Sequence, residues 1–194
     1  MSNLTGLVTG KGRSPGALAQ PRKPGDTVTQ KTVATVLDEW HSAWPELDLG
    51  PLGLFAVLAQ VYWLTAPEIE RLMAAHGITR GMFDLLTTLR RAGPPYTLGP
   101  KELGKSLLLS GAGITNRLDR LEARKLIQRL PDPSDRRGLK IDLTPAGLKL
   151  VDRILPQLIR LERSMAAGLT EKKAATLMRL LDEFARQLAQ TSRP

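Results

Sequence analysis

Between Ser110 and Gly147 the chain reads helix, short strand, polar turn, short strand, helix start. Few folds place that order in so short a span. With Ser110 as N-cap and an end near Arg124, Ile114, Leu118 and Leu121 form one apolar stripe at spacings of four and three. Ile127 to Leu130 and Lys140 to Leu143 read as strands, separated by the turn-forming run Pro131-Asp132-Pro133-Ser134-Asp135-Arg136-Arg137-Gly138. Thr144-Pro145 opens the next helix, threonine as cap and proline at the first helical position. A short helix from Gly99-Pro100 through Leu107 comes before. The pattern predicts a winged helix-turn-helix: a mainly α chain with a small β wing.

The flanking segments look built for association. Val33, Val36, Leu37, Trp40 and Trp44 recur at helical spacing, and Pro45 closes that helix. Leu52–Met73 is apolar nearly all round, so it must be buried on most sides, for example between two subunits. Pro67 inside it predicts a kink or a break. Thr79 caps a third helix to about Arg91. After Thr144, Val151, Ile154, Leu158, Leu161 and Met165 form a heptad-like seam with Pro156 as a kink. Thr170 then caps a last helix carrying Leu177, Leu181, Phe184 and Leu188. The expected organisation is a flexible basic tail (1–30), N-terminal helices of a dimerisation region (31–78), the winged domain (79–144) and C-terminal dimerisation helices (145–194).

Charge narrows the partners. Lys and Arg outnumber Asp and Glu by 28 to 19, a formal +9, which favours polyanions and nucleic acid first. The tail is low in apolar residues and carries Lys11, Arg13, Arg22 and Lys23 against Asp26. With no cysteine, disulfides and thiolate metal sites are excluded. His41 and His76 are isolated and no glycine-rich phosphate loop is present, so the sequence predicts no enzyme, no metal and no cofactor. Leu52–Leu64 reads as too short to span a bilayer, and no apolar signal stretch opens the chain. A cytoplasmic protein without membrane association is expected.

The candidate DNA-reading residues are Ser110, Ala112, Thr115, Asn116 and Arg120 on the helix and Arg136 and Arg137 on the wing. At about 100° per residue, Ala112, Asn116, Asp119, Arg120 and Ala123 face away from the apolar stripe. Asn pairs with adenine and Arg with guanine in the major groove, while wing arginines suit a narrow minor groove. An ordinary solvated helix and hairpin is the plainer alternative. The short helix before, the hairpin behind and the net charge together count against it.

The run from Asp132 to Gly147, DPSDRRGLKIDLTPAG, and the preceding TNRLDRLEARKLI from Thr115 to Ile127 resemble the MarR family of bacterial regulators, over roughly residues 32 to 190. Within it the chain is most similar to the urate-responsive branch typified by HucR and PecS. The resemblance implies a homodimer on duplex DNA and an anionic effector: urate or a related purine first, with carboxylic-acid metabolites such as aconitate or citrate open. It assigns the effector to Trp40, Asp84, Arg117 and Arg129. An effector at the hinge would pull Arg117, and with it the recognition helix, out of register.

The residues themselves leave alternatives. Arg117 lies roughly 60° off the apolar stripe, and Arg129 shares a strand face with Ile127. Both point partly inward and need an anion: a carboxylate such as Asp84, a phosphate, or a bound ligand. Trp40 either stacks on a ligand or only anchors the first helix to the core. Periodicity alone places Asp84 in solvent, on the side away from Met82, Leu86 and Leu89. A protein of another class, an effector-independent architectural or RNA-binding winged helix, fits the same basic surface.

Overall fold

The computed structural model describes residues 31–107, 113–132 and 135–191, the side chains of 135–137 excepted. The basic tail therefore lies outside the described residues. In order come α1 (Val33–Ala43), α2 (Gly50–Ala75), α3 (Arg80–Arg91), β1 (Thr97–Leu98), α4 (Pro100–Ser106), α5 (Ile114–Ala123), β2 (Ile127–Asp132), β3 (Asp135–Leu143), α6 (Pro145–Met165) and α7 (Glu171–Thr191). The chain divides into two units, Met1–Phe55 and Ala56–Pro194.

In the first unit, the Thr32 side chain accepts the backbone N–H of Thr35 and starts α1. The Trp44 N–H returns to the Trp40 carbonyl at its end. No residue of α1 is buried. Gly53 lets Leu37 approach the start of α2: a Cβ there would stand 3.0 Å from Leu37 Cδ1.

The second unit is built around α3. Met82, Phe83, Leu85, Leu86, Thr88 and Leu89 are all buried, so this helix is covered on more than one side. Ile69 and Met73 of α2, Leu103 of α4, Leu118 and Leu121 of α5, and Val151 and Ile154 of α6 complete the core with the strands' Ile127, Ile141 and Leu143. The sheet has the order β1-β3-β2, all antiparallel. Asp142 staples it, accepting from Thr97 Oγ1 at 2.6 Å on one side and Gln128 Nε2 at 2.7 Å on the other. β1 is an addition to the expected two-stranded hairpin, and both wing strands run further into the turn than their apolar cores indicated.

Two helices end in the same hydrogen-bonded turn. At α2, Ile78 N–H reaches the Met73 carbonyl and Gly77 N–H the Ala74 carbonyl, with Gly77 at φ +69°. At α5, Leu126 N–H reaches Leu121 and Lys125 N–H reaches Glu122, with Lys125 at φ +57°. Both are Schellman closures, one with the glycine that the left-handed position favours and one without it.

α2 bears on two expectations. It is a single helix with Pro67 inside it, so the chain does not break there. The N–H that proline lacks would have served the Trp63 carbonyl, at an exposed residue where water can take its place. The run Leu52–Leu64 belongs to a 26-residue helix that is, by length and composition, long and apolar enough to cross a membrane. α6 holds Pro156 inside one continuous helix. In the single chain Val57, Val61, Tyr62, Trp63 and Leu64 of α2 are exposed, and α7 buries no residue while exposing Leu177, Met178, Leu180, Leu181 and Leu188.

Candidate functional site

α5 opens at Ile114, with Gly113 as N-cap in the left-handed region at φ +74°. The earlier start at Ser110 does not hold. Ser110 and Ala112 themselves lie outside the described residues. Leu118 and Leu121 are buried and Ile114 half-buried, while Thr115, Asn116, Asp119, Arg120 and Ala123 are exposed. The helix thus has the two faces its spacing predicts: an apolar one seated on α3 and β2, and a polar one turned outward. Arg136 and Arg137 fall at the start of β3, on the wing; their side chains are outside the described part.

Lys140 roots the wing. Its Nζ lies 3.7 Å from Glu102 of α4 and 3.5 Å from Asp132 of β2. The Glu102 carboxylate also accepts the Gly99 N–H at 2.8 Å, closing the N-terminus of α4. That backbone N–H, and then Lys140, hold the Glu102 carboxyl below its ordinary range.

Arg129 is not an open cation. Its guanidinium donates to Asp119 Oδ1 and to Glu122 Oε2, each at 2.6 Å, and its N–H donates to Glu122 Oε1 at 3.1 Å. Hydrogen bonding to Asp119 keeps its pKa above the ordinary arginine value against partial burial, with Glu122 adding to it. Of the anions open to it from the sequence, Arg129 takes structural carboxylates and so clamps β2 to α5. Sequence periodicity missed this because the partners lie across the helix-to-strand turn.

Arg117 takes another course. A Cβ at Gly81 would stand 2.6 Å from its Nε and 2.7 Å from its Cζ, so the guanidinium lies across the first turn of α3, close over Gly81. One turn further on, Asp84 is half-buried instead of solvated, since α3 is covered on more than one side. Its Oδ2 is buried and has no hydrogen-bond partner among the described residues. Burial raises the Asp84 pKa above 3.8, against the pull of Arg80, then Arg117, then Arg91. Asp84 lines a cavity of about 280 Å³ between α2, α3 and α6, walled by Ile69, Met73, Phe83, Val151 and Leu155. Arg80, Arg90, Arg91 and Glu162 also line it; nothing in the sequence singled these out beyond the basic last turn of α3. Trp40 belongs to the first unit and is 46% exposed, so it is not a core anchor there.

A short helix, a second helix with a polar outward face, and a strand–turn–strand wing behind it define a winged helix-turn-helix DNA-binding domain. Comparison with known proteins gives the family. Residues 76–138 match the MarR family model. The HTH-type transcriptional regulator PecS of Dickeya dadantii is 30% identical over 156 residues, covering 80% of this chain and 94% of PecS. Among solved structures, Bordetella bronchiseptica BpsR, whose DNA binding is regulated by 6-hydroxynicotinic acid, superposes with a TM-score of 0.60 at 25% identity, over 68% of this chain and 98% of that one. A mutant of Escherichia coli MarR complexed with operator DNA gives 0.59 at 28% identity, over 75% and 96%. The chain belongs to the MarR family, and it is a transcriptional regulator, not an enzyme.

Proposed function

We propose that the chain acts as a cytoplasmic homodimeric repressor that binds a pseudo-palindromic operator and is released from it by a planar anionic small molecule. The DNA part rests on one observation: α5 is anchored by Leu118 and Leu121 while Thr115, Asn116 and Arg120 face outward. Asn116 and Arg120 are the base-reading pair, and Thr115 lines the same groove. Arg136 and Arg137 enter the minor groove from the wing. Two copies place their α5 helices about one helical turn of DNA apart.

A second copy covers the apolar faces that one chain leaves exposed on α2 and α7. Lipid is the poorer partner for α2, because Ile69 and Met73 of its last third are already buried in the core. Such broad exposed apolar surfaces mark association.

The effector part rests on the buried Asp84 oxygen, without a hydrogen-bond partner among the described residues, beside the α2/α3/α6 cavity. Apolar walls, an acid and arginines suit a flat heteroaromatic anion, whose ring N–H groups meet Asp84 and whose acidic edge meets a guanidinium. Urate or a related purine is the first choice. BpsR's effector points to heteroaromatic carboxylic acids as the second class. A ligand that engages Asp84 and its arginines draws Arg117 off Gly81, and α5 follows. It must bind that displaced form more tightly, since equal affinity for both states shifts nothing. Arg129 contributes as the clamp on α5, because a ligand reaching it would first have to displace Asp119 or Glu122.

A gel-shift titration on a duplex carrying the chain's own upstream region tests both parts. Binding that weakens with urate, xanthine or 6-hydroxynicotinate supports the proposal. Binding that none of these weakens removes the effector assignment and favours an effector-independent architectural protein.

A further inference from the structure

α5 ends at its C-cap, Arg124, whose side chain crosses to α2. One guanidinium nitrogen, Nη1, donates to the Gly77 carbonyl, and Nη2 donates to the His76 carbonyl at 3.3 Å. Those residues close α2, where the last carbonyls lack helical partners and the dipole of a 26-residue helix ends negative. Gly77 is left-handed at φ +69°, and a Cβ there would crowd Arg124 Nη2 at 3.2 Å. Arg117, two helical turns earlier on the same side of α5, lies across Gly81 of α3. The recognition helix is therefore strapped at two points to the α2–α3 corner, by side chains that its apolar stripe does not include. Arg124 is itself exposed, so removing it opens no hole in the core.

We propose that Arg124 is a positioning residue for DNA reading. It ties α5 to the C-terminal end of α2, so the helix proposed to carry the subunit contact also sets the angle at which α5 meets the groove. This rests on the reading of α5 as the DNA-contacting helix.

The test uses the full chain and two duplexes of equal length, one with the operator and one unrelated, across a series of salt concentrations. Arg124→Ala weakens operator binding about tenfold, the scale of one charge-assisted hydrogen-bonded fork. It leaves the salt slope and the affinity for the unrelated duplex unchanged. Arg124→Lys, with the charge but not the fork, recovers part of the loss. An arginine that instead touched phosphate would weaken both duplexes alike and reduce the salt slope by about one; that result overturns the proposal. So does unchanged operator affinity, including a lowered melting temperature with no change in binding. Arg120→Ala separates the two levels of the argument. If it leaves operator binding intact, the α5 reading fails and this proposal with it; if it weakens binding while Arg124→Ala does not, the positioning role alone fails.

Discussion

Gly147→Ala probes how α6 is seated on the winged domain. Gly147 lies buried in the first turn of α6, its N–H donating to the capping Thr144 Oγ1 at 3.1 Å. A Cβ added there would stand 2.1 Å from the Leu126 carbonyl oxygen and 2.7 Å from Leu143 Cδ1. A carbon–oxygen contact needs roughly 3.3 Å, so helix and strand must part by about 1 Å. The leucine methyl can turn aside, but the carbonyl is held: it accepts from Thr144 N–H at 3.2 Å and from Thr144 Oγ1 at 3.0 Å. Overpacking costs about 1–3 kcal/mol, and a hydrogen-bonded backbone obstacle belongs at the upper end. The helix-propensity gain of alanine returns at most about 1 kcal/mol. The net expectation is a loss of about 2 kcal/mol. Gly104→Ala in α4 is the control, since its nearest neighbour is Ile114 Cδ1 at 3.8 Å and only the propensity gain applies. Urea unfolding at one fixed chain concentration reads both, because association would otherwise shift the midpoints. A Gly147→Ala chain as stable as the parent would refute the reasoning.

Three further outcomes follow from the same geometry. Lys125→Gly relieves a left-handed residue at the α5 closure and raises stability by about 1 kcal/mol; a lowered urea midpoint would contradict this. Asp84→Asn is stabilising at neutral pH. The raised folded pKa means that the carboxyl's favourable contribution is present only below the ordinary carboxylate range and is lost as pH rises through the folded value. The gain therefore shrinks on acidification, and a midpoint difference that ignores pH would show that burial does not govern Asp84. Arg129→Ala unclamps β2 from α5 and costs about 1 kcal/mol, the partners being partly exposed. It also weakens operator binding in a gel shift while leaving the effector affinity of the DNA-free chain unchanged, which calorimetry measures.

Local signals carried most of the fold. The caps at Thr79 and Thr144 and the proline at 145 act within one helical turn, so residue type alone marks them. The two faces of α5 are legible for the same reason. What escaped depends on distant partners. β1 is two residues long and exists only through pairing with β3 some 45 residues later. Asp84 was misplaced because a single apolar stripe describes a helix covered on one side, and α3 is covered on more. The start of α5 went astray because Ser110 has a better capping side chain than Gly113, yet the chain there turns left-handed. Arg124 carried no sequence signal, its acceptors being backbone carbonyls nearly fifty residues upstream.

The direct test of the central claim is the stoichiometry of the complex, by native mass spectrometry or sedimentation, on a duplex carrying the upstream region. The account predicts two chains on each duplex, falling to free dimer and free DNA as effector is added. One chain per duplex, or a protein monomeric at the concentration where it binds, would contradict it.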